Sequence, residues 1–473
     1  IPANLMNMMQ ADDPEEFEMR WSGNVLKFLN HHECHSAFSF YQSPFKEANI
    51  VSIDGRGEQE TLTISKAKNE RITKMLSIDY PHSIGLFYST FTDFLGFKVN
   101  SDEWKVMSLA SYSQKINKYD KLVKSLIKKN KNGFELDLTF FSYYTFDKQK
   151  HMFSKKFTSL FGKPRLKDDK IEKRHKDIAG AMQRVFIEIC KHIFSISRKL
   201  NKTKNLVFTG GSAMNSVLNG KLDNFKVYQN SHISYAPDDS GVAIGAALLA
   251  NYKYGKKTRK PKEIKNNYFG PSYKDAEIKK YLINSKINFT KPENIFKEVA
   301  TGISEGNFIG WFNDKMEFGP RALGNRSILA DPRKHQNKKL LNFAVKFREG
   351  FRPFAPAVLK EYSSQIFEID EKREVNFMER VYKIKKKWIK KIPAVSHVDE
   401  TGRLQTVNKD INSNFYELIS EFHKITGIPL LLNTSFNLNN EPIVMSPKDA
   451  IRSFYSSGLD WLVLGSFLIK KKV

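Results

Sequence analysis

The sequence predicts an α/β protein of two domains, and three observations carry that prediction. At 473 residues the chain is too long for one hydrophobic core. Short apolar runs at 49–53, 205–209, 308–312 and 427–432 alternate with stretches of helical periodicity, which is the pattern of strands covered by helices. Between the halves, residues 251–267 are lysine-rich, carry Gly255 and Pro261, and show no apolar periodicity, so they read as a linker. The expected division is a first domain over 1–250, a linker over 251–270 and a second domain over 271–473.

Composition narrows the class. Hydrophobic residues at 40% and charged residues at 27% are ordinary for a soluble globular protein. No apolar run approaches the roughly 20 residues that a membrane helix needs, and no signal-peptide pattern opens the chain. Two cysteines, Cys34 and Cys190, argue against a disulfide framework and fit a reducing cytoplasm. The net charge of +26 suggests an anionic partner. The lysines are scattered, however, so the charge reads as a solvated surface rather than a nucleic-acid footprint. The chain begins at Ile1, and Met6 to Met9 followed by Asp12, Asp13, Glu15 and Glu16 resemble the interior of a longer protein, so an N-terminal truncation is expected.

Taken in order, residues 25–29 predict a short strand running into a helix that carries His31, His32 and His35. His31 and His35 are four apart and share one helical face. Two imidazoles so placed hold a divalent transition metal or pack without one. Residues 49–53 predict a buried strand ending in Asp54-Gly55-Arg56-Gly57, and 61–65 return as a hairpin. The Asp-Gly-x-Gly turn offers amides to a phosphate and a carboxylate beside them, or is simply a tight turn. Residues 115–173 are polar, lysine-rich and weakly patterned, which predicts an insertion or lid-like segment.

Apolar residues from Ile178 to Leu200 recur at steps of three and four and predict a long amphipathic helix. The strand at 205–209 then empties into Gly210, Gly211 and Asn215, a backbone cradle suited to phosphate but not a Walker loop. Asp239, at a helix start, is a candidate third metal ligand or a helix cap. In the second half, 310–333 concentrates Glu317, Arg321, Asn325, Arg326, Asp331 and Arg333 between glycines and prolines. Guanidinium groups on rigid backbone suit a small dense anion; surface ion pairs are the plainer alternative.

These stretches together resemble the carbamoyltransferase family that includes the nodulation-factor, cephamycin and aminoglycoside O-carbamoyltransferases. The landmarks are HHECHSA, SIDGRGE, EWKVMSLA, TGGSAMN, DDSGVAIGAAL, GWFNDKMEFGPRALGNRSILADPR, KFREGFRPFAPAVL, AVSHVDETGRLQTV and LLNTSFNLNNEPIV, in that order. The resemblance implies a first domain of the actin and sugar-kinase class, missing its first strands here, similar to tRNA threonylcarbamoyl-transferring enzymes. It implies a YrdC-like second domain, whose KxR and SxN signatures look like Lys346-Phe347-Arg348 and Ser435-Phe436-Asn437.

The implied activity joins carbamoyl phosphate and ATP into carbamoyladenylate and passes the carbamoyl group to a hydroxyl of a small molecule. Arg321, Asn325, Arg326, Lys346, Arg348, Arg403, Ser435 and Asn437 would bind carbamoyl phosphate and ATP, with Lys346 and Arg348 catalytic. Gly210, Gly211 and Asn215 would line a nucleotide pocket in the first domain. His31, His35 and Asp239 would hold a divalent metal, Fe(II) by analogy, with Mg accompanying ATP. His32 or Asp54 would take the acceptor's proton. A cytoplasmic enzyme, with a homodimer among the expected arrangements and no membrane partner, completes the expectation. The alternative readings are a tRNA threonylcarbamoyl-type transferase and a non-catalytic nucleotide-binding module.

Overall fold

Residues 18–21, 24–145, 149–255 and 263–471 are described by the structure, a computed structural model. The opening stretch around Met6 to Glu16 and residues 256–262 of the expected linker lie outside the described residues. The chain forms two compact units. The first comprises residues 1–103, 116–214 and 221–264; the second takes 104–115, 215–220 and 265–473.

The first unit is built on a mixed sheet of five strands: β1 (Glu47–Ile53), β2 (Glu60–Lys68), β3 (Arg71–Asp79), β4 (Asn205–Thr209) and β5 (Asn230–His232), in the order β3-β2-β1-β4-β5. The first three are antiparallel, while β4 and β5 run parallel to β1. Parallel pairing requires long crossovers, and α3 (Lys173–Leu200) belongs to the one that precedes β4. As the periodicity predicts, its Ile178, Met182, Val185, Phe186, Ile189 and Ile193 are buried. Because β1 and β4 pair with Ser52 opposite Thr209, both deliver their following turns to the same edge of the sheet. There α1 (His31–Tyr41) begins, its first turn closed by Asn30, whose side chain accepts from the amide of Glu33 at 3.1 Å.

The described residues of 115–173, so featureless in sequence, are folded. Helices Lys118–Lys124 and Lys155–Phe161 and a hairpin of Ile127–Asn130 with Gly133–Leu136 surround a phenylalanine cluster. Phe157 lies 5.1 Å from Phe91, 5.2 Å from Phe94 and 4.5 Å from Phe161, centroid to centroid. Aromatic burial of this density offsets the entropy of ordering elements too short to show a period.

The second unit centres on a sheet of eight strands in the order β9-β10-β8-β11-β7-β6-β12-β13. These are β6 (Ile309–Phe312), β7 (Arg326–Ala330), β8 (Ala355–Leu359), β9 (Arg380–Lys383), β10 (Thr401–Val407), β11 (Leu430–Ser435), β12 (Trp461–Leu464) and β13 (Phe467–Lys470). Strands β6, β7 and β8 are buried at every position; β6 and β8 read as continuous apolar runs, whereas β7 opens on the buried polar pair Arg326 and Ser327. Two pieces from far upstream also belong to this unit: the body of α2 (Glu103–Ala110) and the short helix Ser216–Asn219. The α/β class expected from the sequence therefore holds in both halves.

Candidate active site

Four side chains converge at the edge of the first sheet. His31 and His35 point Nε2 at each other across 3.0 Å from successive turns of α1. Asp54, in the turn after β1, places Oδ2 at 2.9 Å from His35 Nε2 and 3.4 Å from His31 Nε2. Asp239 places Oδ1 at 3.3 and 3.4 Å from the same two nitrogens. The ligand atoms of these four residues all lie within 4.8 Å of one another. His35 is fully buried while the Asp239 side chain is 77% exposed, so the group opens toward solvent on the Asp239 side.

The electrostatics follow from that geometry. Hydrogen bonds to Asp239 and then Asp54 lift the His31 imidazole to about 10, against the opposing effect of burial. Burial lowers His35, but Asp239 and Asp54 together outweigh it and leave it raised. Burial pushes Asp54 up, yet His31 and His35 hold it well below the usual carboxylate range. Two imidazoles and two carboxylates converging on one point form a donor set that fits a divalent transition metal. Asp239 stands beside the histidine pair. Asp54, read from the sequence as a phosphate-side carboxylate or a base, stands among the same four donors.

Gly210 sits against the backbone of Ile53 and Gly211 against the Asp54 side chain, rather than in an open loop. Gly210 adopts φ +84°, and its amide donates to Pro237 O at 2.8 Å. A Cβ on Gly211 would come within 2.9 Å of Asp54 Oδ1. Asn215 caps the helix Ser216–Asn219 through its side-chain oxygen, 3.0 Å from the amide of Leu218, and belongs to the second unit. His32 turns away from the four donors: Nδ1 meets Thr63 Oγ1 at 3.2 Å, and burial pushes the ring down to about 4.

The second unit contains a cavity of ≈ 150 Å³ lined by Arg321, Arg348, Arg352 and Arg403, with Thr434 and Ser435 also on its wall. Burial pushes Arg403 well below its usual range, and Arg321 and Arg348 push further. Burial, then Arg352, brings Arg348 down to about 9. Arg348 Nη2 and Arg403 Nε are buried with no hydrogen-bond partner among the described residues. Crowded, desolvated guanidinium groups are a standing demand for an anion.

The two signatures of the second unit meet. Lys346 Nζ donates to Ser435 O at 2.6 Å and Oγ at 3.3 Å, and to Asn437 O at 2.9 Å and Oδ1 at 2.6 Å. Between Lys346 and Arg348, Phe347 adopts φ +46°, a left-handed conformation that is strained for an aromatic residue. It follows a π-turn at Leu341–Val345. This kink sends Lys346 to the Ser435–Asn437 turn and leaves Arg348 on the cavity wall.

The arginine stretch divides its labour. Glu317, buried beneath it, accepts through Oε1 from the amides of Leu323 at 2.6 Å, Asn325 at 2.8 Å and Arg326 at 3.4 Å, so residues 318–325 loop around one carboxyl group. That loop presents Arg321 to the cavity. Arg326 is not on the cavity wall. Its guanidinium lies 3.6 Å from the Phe312 ring centroid and donates to the carbonyls of Asn313, Asp314, Asn325 and Pro271. Asn325 is likewise turned inward, donating to Lys315 O at 2.7 Å and accepting from Asn412 at 2.9 Å.

Arg352, His397 and Asp399 line the cavity although sequence reasoning assigned them no role. Arg352 lies four residues beyond Arg348 in the KFREGFRPFAPAVL landmark, and a count of cations around the KxR signature would have found it. Trp104, also on the wall, comes from the EWKVMSLA landmark; Arg352 stacks on its ring at 4.0 Å.

Residues 19–248 match the family description Carbamoyltransferase N-terminus, and residues 300–471 match Carbamoyltransferase C-terminus. The nodulation protein NolNO of Sinorhizobium fredii is 34% identical over 100% of this chain and 68% of its own length. Nodulation protein NolO of Bradyrhizobium diazoefficiens is 34% identical over 94% of this chain and 79% of its own. The Synechocystis protein sll1178 is 37% identical over 94% and 76% respectively.

Proposed function

The chain belongs to the carbamoyltransferase family, and from that premise we propose that it is an ATP-dependent O-carbamoyltransferase acting on a hydroxyl of a small molecule. The observation that carries this reading is the cavity walled by Arg321, Arg348, Arg352 and Arg403. Its guanidinium groups suit the phosphates of carbamoyl phosphate and ATP, where charge builds up during phosphoryl chemistry. Atoms balance when one water takes the phosphate from carbamoyl phosphate, a carbamate oxygen attacks the α-phosphorus of ATP, and pyrophosphate leaves. The product is carbamoyladenylate. The arginines bind and orient the two phosphates, while the Ser435 hydroxyl at the strand end donates to Asn437 Oδ1 at 2.7 Å and fixes the turn beside them. Lys346 holds the Ser435–Asn437 turn in place.

In the first unit, His31, His35, Asp54 and Asp239 would hold a divalent metal, Fe(II) by resemblance to the family. Bound there, the ion would supply Lewis acidity toward the carbonyl being transferred. Gly211 keeps space for the Asp54 carboxylate, and Gly210 for the Ile53 backbone beneath it. His32 is the candidate acceptor of the alcohol's proton, because burial keeps its ring neutral at physiological pH. AMP leaves as the carbamate ester forms. Among the described residues no helix is long and apolar enough to cross a membrane.

The test is exchange of labelled pyrophosphate into ATP. Exchange that requires carbamoyl phosphate supports the reading; exchange without it, or none in metal-replete protein, removes it.

A further inference from the structure

Among the residues that wall the basic cavity, one carboxylate stands out. Asp399 shares the lining with Arg321, Arg348, Arg352 and Arg403, yet it forms no ion pair with any of them among the described residues. Its hydrogen bonds fall on one oxygen: Oδ1 accepts from Thr401 Oγ1 at 2.6 Å and from the Thr401 amide at 3.3 Å. The other, Oδ2, accepts from no described residue. Thr401 is fixed as donor to Asp399 because an ionised carboxylate only accepts. The Thr401 hydroxyl, having spent its one hydrogen, then accepts from His397 Nδ1 at 3.1 Å. The turn thus holds the Asp399 carboxylate in one orientation.

A lone carboxylate is a poor companion for phosphate oxygens, which it repels. It suits a site whose ligand ends in N–H. Resting on the proposed function above, we propose that Asp399 is the specificity residue for the donor, accepting through Oδ2 a hydrogen bond from the carbamoyl amino group while the arginines hold the phosphate. Between two acyl phosphates of the same size, the amino group is the hydrogen-bond donor that distinguishes carbamoyl from acetyl. It is also retained in the donor, in carbamate and in the adenylate, so a single acceptor serves every species of the first half-reaction. The arrangement orients the donor as well as selecting it: the cationic wall takes one end and the carboxylate takes the other.

The experiment measures calorimetric binding of carbamoyl phosphate, acetyl phosphate and inorganic phosphate to the full chain, without nucleotide or added magnesium, in wild type, Asp399→Asn and Asp399→Ala. Asp399→Asn keeps an oxygen for Thr401 and replaces the free acceptor with a donor. Wild type is expected to prefer carbamoyl over acetyl phosphate by about 100-fold, the scale of one hydrogen bond to a charged group. Both variants are expected to lose most of that preference while binding inorganic phosphate at least as well as wild type. A preference kept by both variants overturns the assignment alone. A preference kept together with a several-fold rise in the magnesium needed for pyrophosphate exchange overturns it too, and gives Asp399 to the nucleotide's cation. If wild type binds neither acyl phosphate, the reading of the cavity falls, and this assignment with it.

Discussion

A methyl group on Gly211 would stand 2.9 Å from Oδ1 of Asp54, inside van der Waals contact. Gly211→Ala must therefore displace either the backbone after β4 or the Asp54 carboxylate. Displacement of one ligand from a four-donor set predicts a loss of metal affinity of about 10- to 100-fold, the scale seen when groups that orient ligands are changed. Titration of purified protein with Fe(II) under anaerobic conditions, or with Co(II), measures it. Affinity equal to wild type would remove Asp54 from the ligand set.

The proposed division of labour between the units predicts separable defects. His31→Ala and His35→Ala are expected to lose bound metal and carbamoyl transfer but to retain carbamoyl-phosphate-dependent pyrophosphate exchange. Elemental analysis and the two half-reactions, run on the same preparations, test this. Simultaneous failure of both half-reactions in a folded variant contradicts the division, and an active protein without metal contradicts the ligand set.

Lys346 predicts a different pattern. Its amino group is met by four oxygens of Ser435 and Asn437, although burial and the nearby Arg348 and Arg352 push it well below the usual lysine range, so Lys346→Met removes hydrogen bonds each worth about 1 kcal/mol. The expected outcome is a lower unfolding midpoint together with at least a 100-fold fall in pyrophosphate exchange. Metal content should stay at the wild-type level. A variant with normal exchange would mean that the Ser435–Asn437 turn holds its shape without this clamp.

Glu317 carries a pH signature. Burial lifts its carboxyl above the ordinary 4.5, against the amides of Asn325 and Leu323 and the charge of Arg326. Between 4.5 and the raised value, the folded chain keeps a proton that the unfolded chain has released, so stability falls as pH rises through that window. Glu317→Gln keeps an oxygen for the three amides and has nothing to titrate. Thermal midpoints from pH 4 to 7 should shift progressively in favour of the variant. Parallel pH profiles for the two proteins would show that the carboxyl is not raised.

Much of this was legible in the sequence because its signals are local. The i, i+4 pair His31 and His35 needs only a helix, and a helix start so close to the long run of apolar residues allows little else. Residues 178–196 needed only a count of steps. What was not legible depends on sheet order or on which face is buried. Asp54 meets the histidines at the edge where β1 and β4 both end, a pairing between residues 157 positions apart in sequence, from Ser52 to Thr209. Arg321 and Arg326 are indistinguishable as letters; the loop around Glu317 turns one to the cavity and seals the other against Phe312. The segment 115–173 hid its structure because its helices and hairpin are each shorter than the window in which a period becomes visible.

Trp104, Met107 and Ser108 come from a helix made less than a quarter of the way along the chain, yet they finish a cavity whose arginines appear only after residue 320. A ribosome releases that wall long before the sheet it must join, so those residues stay unmatched while some two hundred more are synthesised. Expressing the rear half by itself from residue 265 would yield a sheet with its arginines in place and one side of their chamber absent, and a fusion that restored residues 104–115 and 215–220 would be the smallest piece to carry the whole enclosure.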